Sequence, residues 1–249
     1  MRCLVAACTA AVLAACGTDR AVPSGVELPA LIPVPLHVQR GEGAYRLAAD
    51  AKISGAAHTD MHATLEWMIG LINEQAGLSL SLTDEPAALR LELDDSAAFA
   101  ETLAAIDARA VREAYLLEIA DDGIRIAAPD EAGLFYGLTT LWQLLSASSN
   151  GELPMVTIVD APEFEWRGVM LDSARHMQSP AFIKRYIDWM ALHKLNVFHW
   201  HLTDDQAWRL EIRKFPDLTN VGAWRVPAGD APAADIDEAT GEPRKYGGY

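Results

Sequence analysis

A chain of 249 residues, 51% hydrophobic and 22% charged, has enough apolar content to bury the core of one large domain or two ordinary ones, which excludes disorder as a global description. Its formal net charge of −15 at pH 7 argues against a nucleic-acid partner, because affinity for a phosphate backbone comes from clustered Lys and Arg that displace counterions. No apolar run approaches the roughly 20 residues that a membrane-spanning helix needs.

Residues 1–16 read as an export signal. Arg2 supplies a positive charge, CLVAACTAAVLAA a short apolar core, and LAAC closes it. A small-residue site ending in cysteine resembles a bacterial lipobox, in which Cys16 becomes the lipidated first residue of the mature protein; an ordinary signal peptide is the alternative. Cys3, Cys8 and Cys16 are the chain's three cysteines, so the folded body is expected to hold neither a disulfide nor thiolate chemistry. The expected location is the bacterial cell envelope, lipid-anchored at the outer membrane or periplasmic face, with the membrane met only through the lipid. Firm anchoring of that kind takes more than one acyl chain.

Residues 17–30, polar with Gly and Pro, read as a linker. An α+β domain is expected over residues 31–160. LIPVPLHVQ and AYRLA look like short extended segments, and Met61, Leu65, Met68, Ile69 and Ile72 fall at helical spacing with Gly77 placed as a C-terminal cap. LSLSL and LRLEL alternate as half-buried strands do. AYLLEIADDGIRIAA predicts a hairpin turning at Asp122-Gly123. A helix comes next from an Asp130 cap, burying Leu134, Phe135, Leu138, Leu141, Trp142 and Leu145. SNGEL marks a break, after which MVTIVDAP reads as a connecting strand.

From Glu165 the pattern becomes strand, loop, helix, strand, loop. WRGVMLD predicts a strand and SARHMQ a loop; Ser179-Pro180 opens a helix with a capping hydroxyl and a first-turn proline. His193 and Lys194 would occupy its last turn, where cations suit the helix dipole. LNVFHWHL predicts the second strand. This βαβ unit is expected to be parallel and right-handed. Doubly wound sheets and eight-stranded barrels both begin so, and the absence of a G-x-G fingerprint in DSAR favours the start of a barrel, residues 161–249, whose chemistry would sit at the C-terminal strand ends. There the sequence puts Asp172 and Arg175 after the first strand and Asp204 and Asp205 after the second. A structural Arg–Asp pair with loop-capping acids is the bland alternative. Alternation would set His199 and His201 on one face of the strand and Phe198, Trp200, Leu202 and Asp204 on the other. His199-x-His201 has the spacing of a metal pair on a strand, which would make a metal-dependent barrel hydrolase one reading; hydrogen-bonded interior histidines are the other.

WRGVMLDSARH, with NVFHWHLTDDQAWR about 25 residues on, resembles the opening of the catalytic barrel of family-20 glycoside hydrolases, the β-N-acetylhexosaminidases. GIRIAAPDEAGLFYGLTTLWQLL is similar to the end of the α+β domain that precedes this barrel in bacterial members. The resemblance implies a (β/α)8 barrel of which this chain carries about a third, given a usual length of about 250 residues. It makes Arg175 the guanidinium that grips hydroxyls of the terminal sugar, and Asp204 the carboxylate that orients a histidine lying beyond this chain. Asp205 and Trp208 become loop-positioning residues, and Ala207 stands where glycine is commoner. The implied reaction is retaining, exo-acting hydrolysis of terminal β-linked N-acetylglucosamine or N-acetylgalactosamine in an oligosaccharide or glycan. The substrate's acetamido oxygen attacks, a Glu protonates the leaving oxygen and an Asp steadies the intermediate, with no metal or organic cofactor. Asp237-Glu238 is not in a strand-end context, so the implied Asp-Glu pair is absent from the chain, and the 249 residues alone are expected to be inactive. An unclosed two-strand piece would also expose its edges. A non-catalytic carbohydrate-binding protein, using Arg175 and the aromatics, is the alternative from another class.

Overall fold

The computed structural model describes residues 27–55, 59–106, 108–148, 150–226, 237, 239–242 and 245–248. Cys16, the rest of the export segment and most of the 17–30 linker lie outside the described residues, as does Glu238.

Alternating apolar residues turn one side of each strand towards a shared core. The strands are β1 (His37–Arg46), β2 (Lys52–Ser54), β3 (Ser81–Leu82), β4 (Leu89–Leu93), β5 (Tyr115–Ala120), β6 (Gly123–Ala128) and β7 (Glu152–Asp160). They form one mixed sheet in the order β1-β7-β5-β6-β4-β2-β3. The β1, β7, β5 and β6 pairings are antiparallel, and β6–β4, β4–β2 and β2–β3 are parallel. Tyr115, Leu117 and Ile119 of β5 and Ile124 and Ile126 of β6 are buried against helices α1 (His62–Ala76) and α3 (Glu131–Ser146). Helix α2 (Ala97–Ala104), capped by the Ser96 hydroxyl on the Phe99 amide at 3.2 Å, packs Phe99 and Leu103 with Ala127 and Val159 in a second, smaller cluster.

Several expectations change in detail. In place of two extended segments between residues 31 and 48 there is one strand, β1, covering only His37–Arg46, with a register shift between Arg40 and Ala44. The supposed connecting strand is β7, held between β1 and β5. Leu153, Val156, Ile158 and Val159 are all buried, and a strand covered on both faces loses the alternation that marks a half-exposed one. Asp130 does stand at the N-cap of α3, but its carboxylate makes no cap bond and takes Arg112 Nη2 at 2.7 Å instead. Gly77 ends α1 in the left-handed conformation at φ 66°, as expected.

The hairpin turns on Asp121 and Asp122, and Gly123 already pairs with Ala120. Gly123 is glycine for two reasons: its φ is +134°, and a Cβ there would meet the Ala88 carbonyl oxygen at 2.3 Å. That carbonyl accepts the Ile124 amide at 2.7 Å and so begins the β4–β6 ladder. Gly123→Ala should therefore lower stability by about 2 kcal/mol through strain and overpacking, seen as a lower urea midpoint with an unchanged slope.

The second unit contains β8 (Gly168–Asp172), α4 (Pro180–Leu192) and β9 (Val197–His201), with β8 parallel to β9 and Asp172 opposite His201. Ser179 caps the Phe182 amide at 3.2 Å and Pro180 opens the helix. Among the described residues β8 and β9 pair only with each other, and Met170, Trp189 and Trp200 remain exposed. A four-residue helix α5 (Asp217–Asn220) and the antiparallel pair β10 (Trp224–Arg225) and β11 (Tyr246–Gly247) complete the described chain. No helix among the described residues is long and apolar enough to cross a membrane.

Lys194 is not the surface cation expected at a helix end. Helix α4 stops at Leu192, and Lys194 adopts φ +58°. It is buried, with Nζ 2.9 Å from Tyr115 Oη, 2.9 Å from Thr140 Oγ1 and 3.2 Å from Asp160 Oδ2. Desolvation lowers its pKa, and the Asp160 charge works against that shift. Two neighbours make similar crossings. Arg167, one residue before β8, donates from Nη1 to Glu113 and from Nη2 to Tyr136 Oη, both at 2.7 Å. Asn196, one residue before β9, donates to Glu113 at 3.1 Å and accepts the Arg167 amide at 2.9 Å. The starts of both strands are thus bonded to the first sheet and its helices, and their far ends are left to form the rim.

Candidate active site

The parallel register of β8 and β9 delivers two loops to one rim. Below it the first loop is fixed by backbone: the Ser173 and Ala174 amides both donate to the His201 carbonyl, at 2.9 and 3.2 Å. Asp172, the last residue of β8, then accepts the Arg175 amide on Oδ1 at 3.0 Å, which curls the loop and brings the guanidinium back over the strand end. Arg175 Nη1 lies 3.2 Å from Asp172 Oδ2 and 2.5 Å from Asp204 Oδ2. The two residues singled out in the sequence, Arg175 and Asp204, therefore meet in an ion pair.

His201 completes the group. Its Nε2 is 2.9 Å from Asp204 Oδ2 and 3.1 Å from Arg175 Nη1. Strict strand alternation would place Asp204 on the face opposite His201. Strand β9 ends at His201, so alternation stops there. The next turn, closed by the Asp204 amide on the Ala207 carbonyl at 3.1 Å and a Thr203–Trp208 bridge, brings the carboxylate back to the imidazole. The histidine that Asp204 meets in this structure is thus one of the chain's own.

The electrostatics arise from these bonds. The Asp205 amide, donating to Asp204 Oδ1 at 2.8 Å, is the largest influence that lowers the Asp204 pKa; His201 and the Arg175 charge add to it, and the carboxyl falls to about 2. Desolvation opposes ionisation of Asp172, but the Arg175 amide and guanidinium outweigh it and hold that carboxyl below its usual range. Both acids are therefore carboxylates at neutral pH, flanking one guanidinium whose side chain is 43% exposed.

His199 and His201 have ring centroids 6.3 Å apart. Among the described residues no three His, Cys, Asp or Glu side chains gather where one ion could hold them. Trp208 donates from Nε1 to the Leu210 carbonyl at 2.8 Å and from its amide to the Gly222 carbonyl at 2.9 Å. Ala207 is buried.

Arg209 is buried, and its guanidinium donates to the carbonyls of Ser173, Ala174, Ala223 and Gly248. It ties the loop that bears Arg175 to the chain's last described turn. Position at the end of a long aromatic motif was the only signal it gave.

With this geometry in place, the comparisons are specific. Residues 28–161 match the family description "Glycosyl hydrolase family 20, domain 2", and residues 164–247 match "Glycosyl hydrolase family 20, catalytic domain". The chain belongs to glycoside hydrolase family 20. Within family 20 it is similar to the N,N'-diacetylchitobiase of Vibrio harveyi, at 36% identity over 199 residues, covering 78% of this chain and 21% of that protein. It is also 36% identical over 208 residues to a β-hexosaminidase of Porphyromonas gingivalis, covering 79% of this chain and 25% of the relative. The chain thus spans about a quarter or less of the length of these two relatives. A solved family-20 structure, the exo-β-N-acetylglucosaminidase of Vibrio harveyi in complex with N-acetylglucosamine, superimposes with a TM-score of 0.67 at 29% identity, covering 90% of this chain and 34% of that one. A mutant Streptomyces plicatus β-hexosaminidase in complex with its N-acetylglucosamine product gives 0.68 at 30% identity, with coverages of 80% and 40%.

Proposed function

We propose that this chain contributes the domain that precedes the barrel and the first two barrel strands of an exo-acting β-N-acetylhexosaminidase, a retaining hydrolase of terminal β-linked N-acetylhexosamines that uses the substrate's own acetamido oxygen as nucleophile. The observation that carries the reading is the rim at which Arg175, fixed by Asp172 and Asp204, sits in a segment matching the family-20 catalytic domain. A planar fork of donors can take two neighbouring sugar hydroxyls and so fix the ring for the later chemistry. In this reading Arg175 binds the terminal sugar, and Asp204, which meets His201 on one side, orients a histidine supplied by later barrel strands. The acid that protonates the leaving oxygen comes from later barrel strands, so the 249 residues alone have no glycosidase activity. The sequence of residues 1–16 supports export and lipidation at Cys16, which would hold the protein at the cell envelope.

The test is release of p-nitrophenol from p-nitrophenyl N-acetyl-β-glucosaminide. The full reading frame that contains this chain should release it, and the isolated 249 residues should not. If the full frame gave no more than its Arg175→Ala control, the proposed activity would be wrong.

A further inference from the structure

We infer that His201 is a positioning residue, a donor through Nε2–H that occupies one flank of the Asp204 carboxylate and so keeps Arg175 on it with Nη1 as the nearest nitrogen, leaving the rest of the fork for ligand. The inference rests on the sugar-binding reading of Arg175 given above. It begins from a conflict of donors. A guanidinium can only donate, and an ionised carboxylate can only accept. Nε2 lies 2.9 Å from Asp204 Oδ2 and 3.1 Å from Arg175 Nη1. An Nε2 lone pair would satisfy the guanidinium and face a carboxylate oxygen across 2.9 Å. An Nε2–H bonds the carboxylate, and the guanidinium then stays on the same oxygen as an ion pair, Nη1 lying 2.5 Å from Oδ2.

The nearest contacts that join Arg175 to Asp172, Asp204 and His201 are all made by Nη1. With the imidazole on its flank, Asp204 meets the fork at Oδ2, where Nη1 is the nearest nitrogen, while its Oδ1 is engaged by the Asp205 amide. Without the imidazole, the guanidinium can turn and close on Asp204 with two nitrogens, the geometry that Arg–carboxylate pairs favour. It would then present fewer donors to a diol. Four charged or titratable groups face the ring: Asp172 at the end of β8, Arg175 in the loop after it, His199 on β9 and Asp204 beyond it.

Two measurements decide the matter separately. In the 249-residue chain, long-range proton–nitrogen spectra should show His201 protonated at Nε2 at pH 8; a bare Nε2 there overturns the inference whatever the enzyme does. In the full reading frame, His201→Phe keeps ring bulk without a donor and should raise KM for the p-nitrophenyl glycoside at least tenfold with a smaller change in kcat. His201→Gln, whose Nε2 amide reaches a similar point, should stay within threefold of the parent KM. A wild-type KM in His201→Phe, or equal impairment of the two variants, overturns the inference. A parent frame without activity would instead remove the proposed function and leave the spectra to decide the position of the proton.

Discussion

Arg175→Ala in the full reading frame is expected to lower kcat/KM for β-N-acetylglucosaminides by about a thousandfold. Hydrogen bonds from a charged donor contribute roughly 1.5–3 kcal/mol each, and two of them to a sugar diol give about 4 kcal/mol, which is three powers of ten. Little of that loss should come from unfolding. The Arg175 side chain is 43% exposed, and its partners Asp172 and Asp204 are 30% and 29% exposed, so water can take over their solvation. Arg175→Lys should not restore activity, because an ammonium on a flexible stem cannot reproduce two parallel donors. Steady-state kinetics of the three proteins beside their thermal melts would check this; a fully active lysine variant would mean that charge alone matters at this position.

Asp160→Ala is expected to act on the fold itself, lowering stability by about 3–5 kcal/mol. Lys194 and Asp160 have side chains only 6% and 10% exposed. Removing the carboxylate would strand a buried ammonium and also leave the Leu36 amide without its acceptor, now at 3.1 Å. Breaking one partner of a buried pair is far more damaging than replacing both by apolar groups of similar size. The double variant Lys194→Met, Asp160→Leu should therefore recover much of the loss. Denaturant unfolding of the parent, the single and the double variant would show it, and a single variant within 1 kcal/mol of the parent would mean that the crossing carries little weight.

Features set by local periodicity were legible in the sequence, whereas contacts between distant residues mostly were not. Helices α1 and α3 and the β8–α4–β9 unit were readable because apolar spacing, Gly77 and Ser179-Pro180 are local signals. Strand β7 was readable as a strand but its place between β1 and β5 was not, because burial on both faces erased its alternation, and β2 and α2 are too short to show a period. At the rim, Arg175 and Asp204 could be placed at the same end from strand order alone. The contact of His201 with Asp204 could not, since it depends on where β9 stops and how the next turn runs. Lys194 was the hardest to foresee: a lysine after a helix normally reaches water, and only the positive φ and the partners on β5, α3 and β7 make it a buried bond.

The crossings made by Arg167, Lys194 and Asn196 also imply an order of assembly. N-terminal domains generally fold first during synthesis, so the first sheet with its helices, which together bear Glu113, Tyr115, Tyr136 and Asp160, can be complete before β8 and β9 leave the ribosome. It then acts as a jig: each new strand is seized at its foot, its register is set before its tip is built, and Arg175 and Asp204 arrive already facing one another.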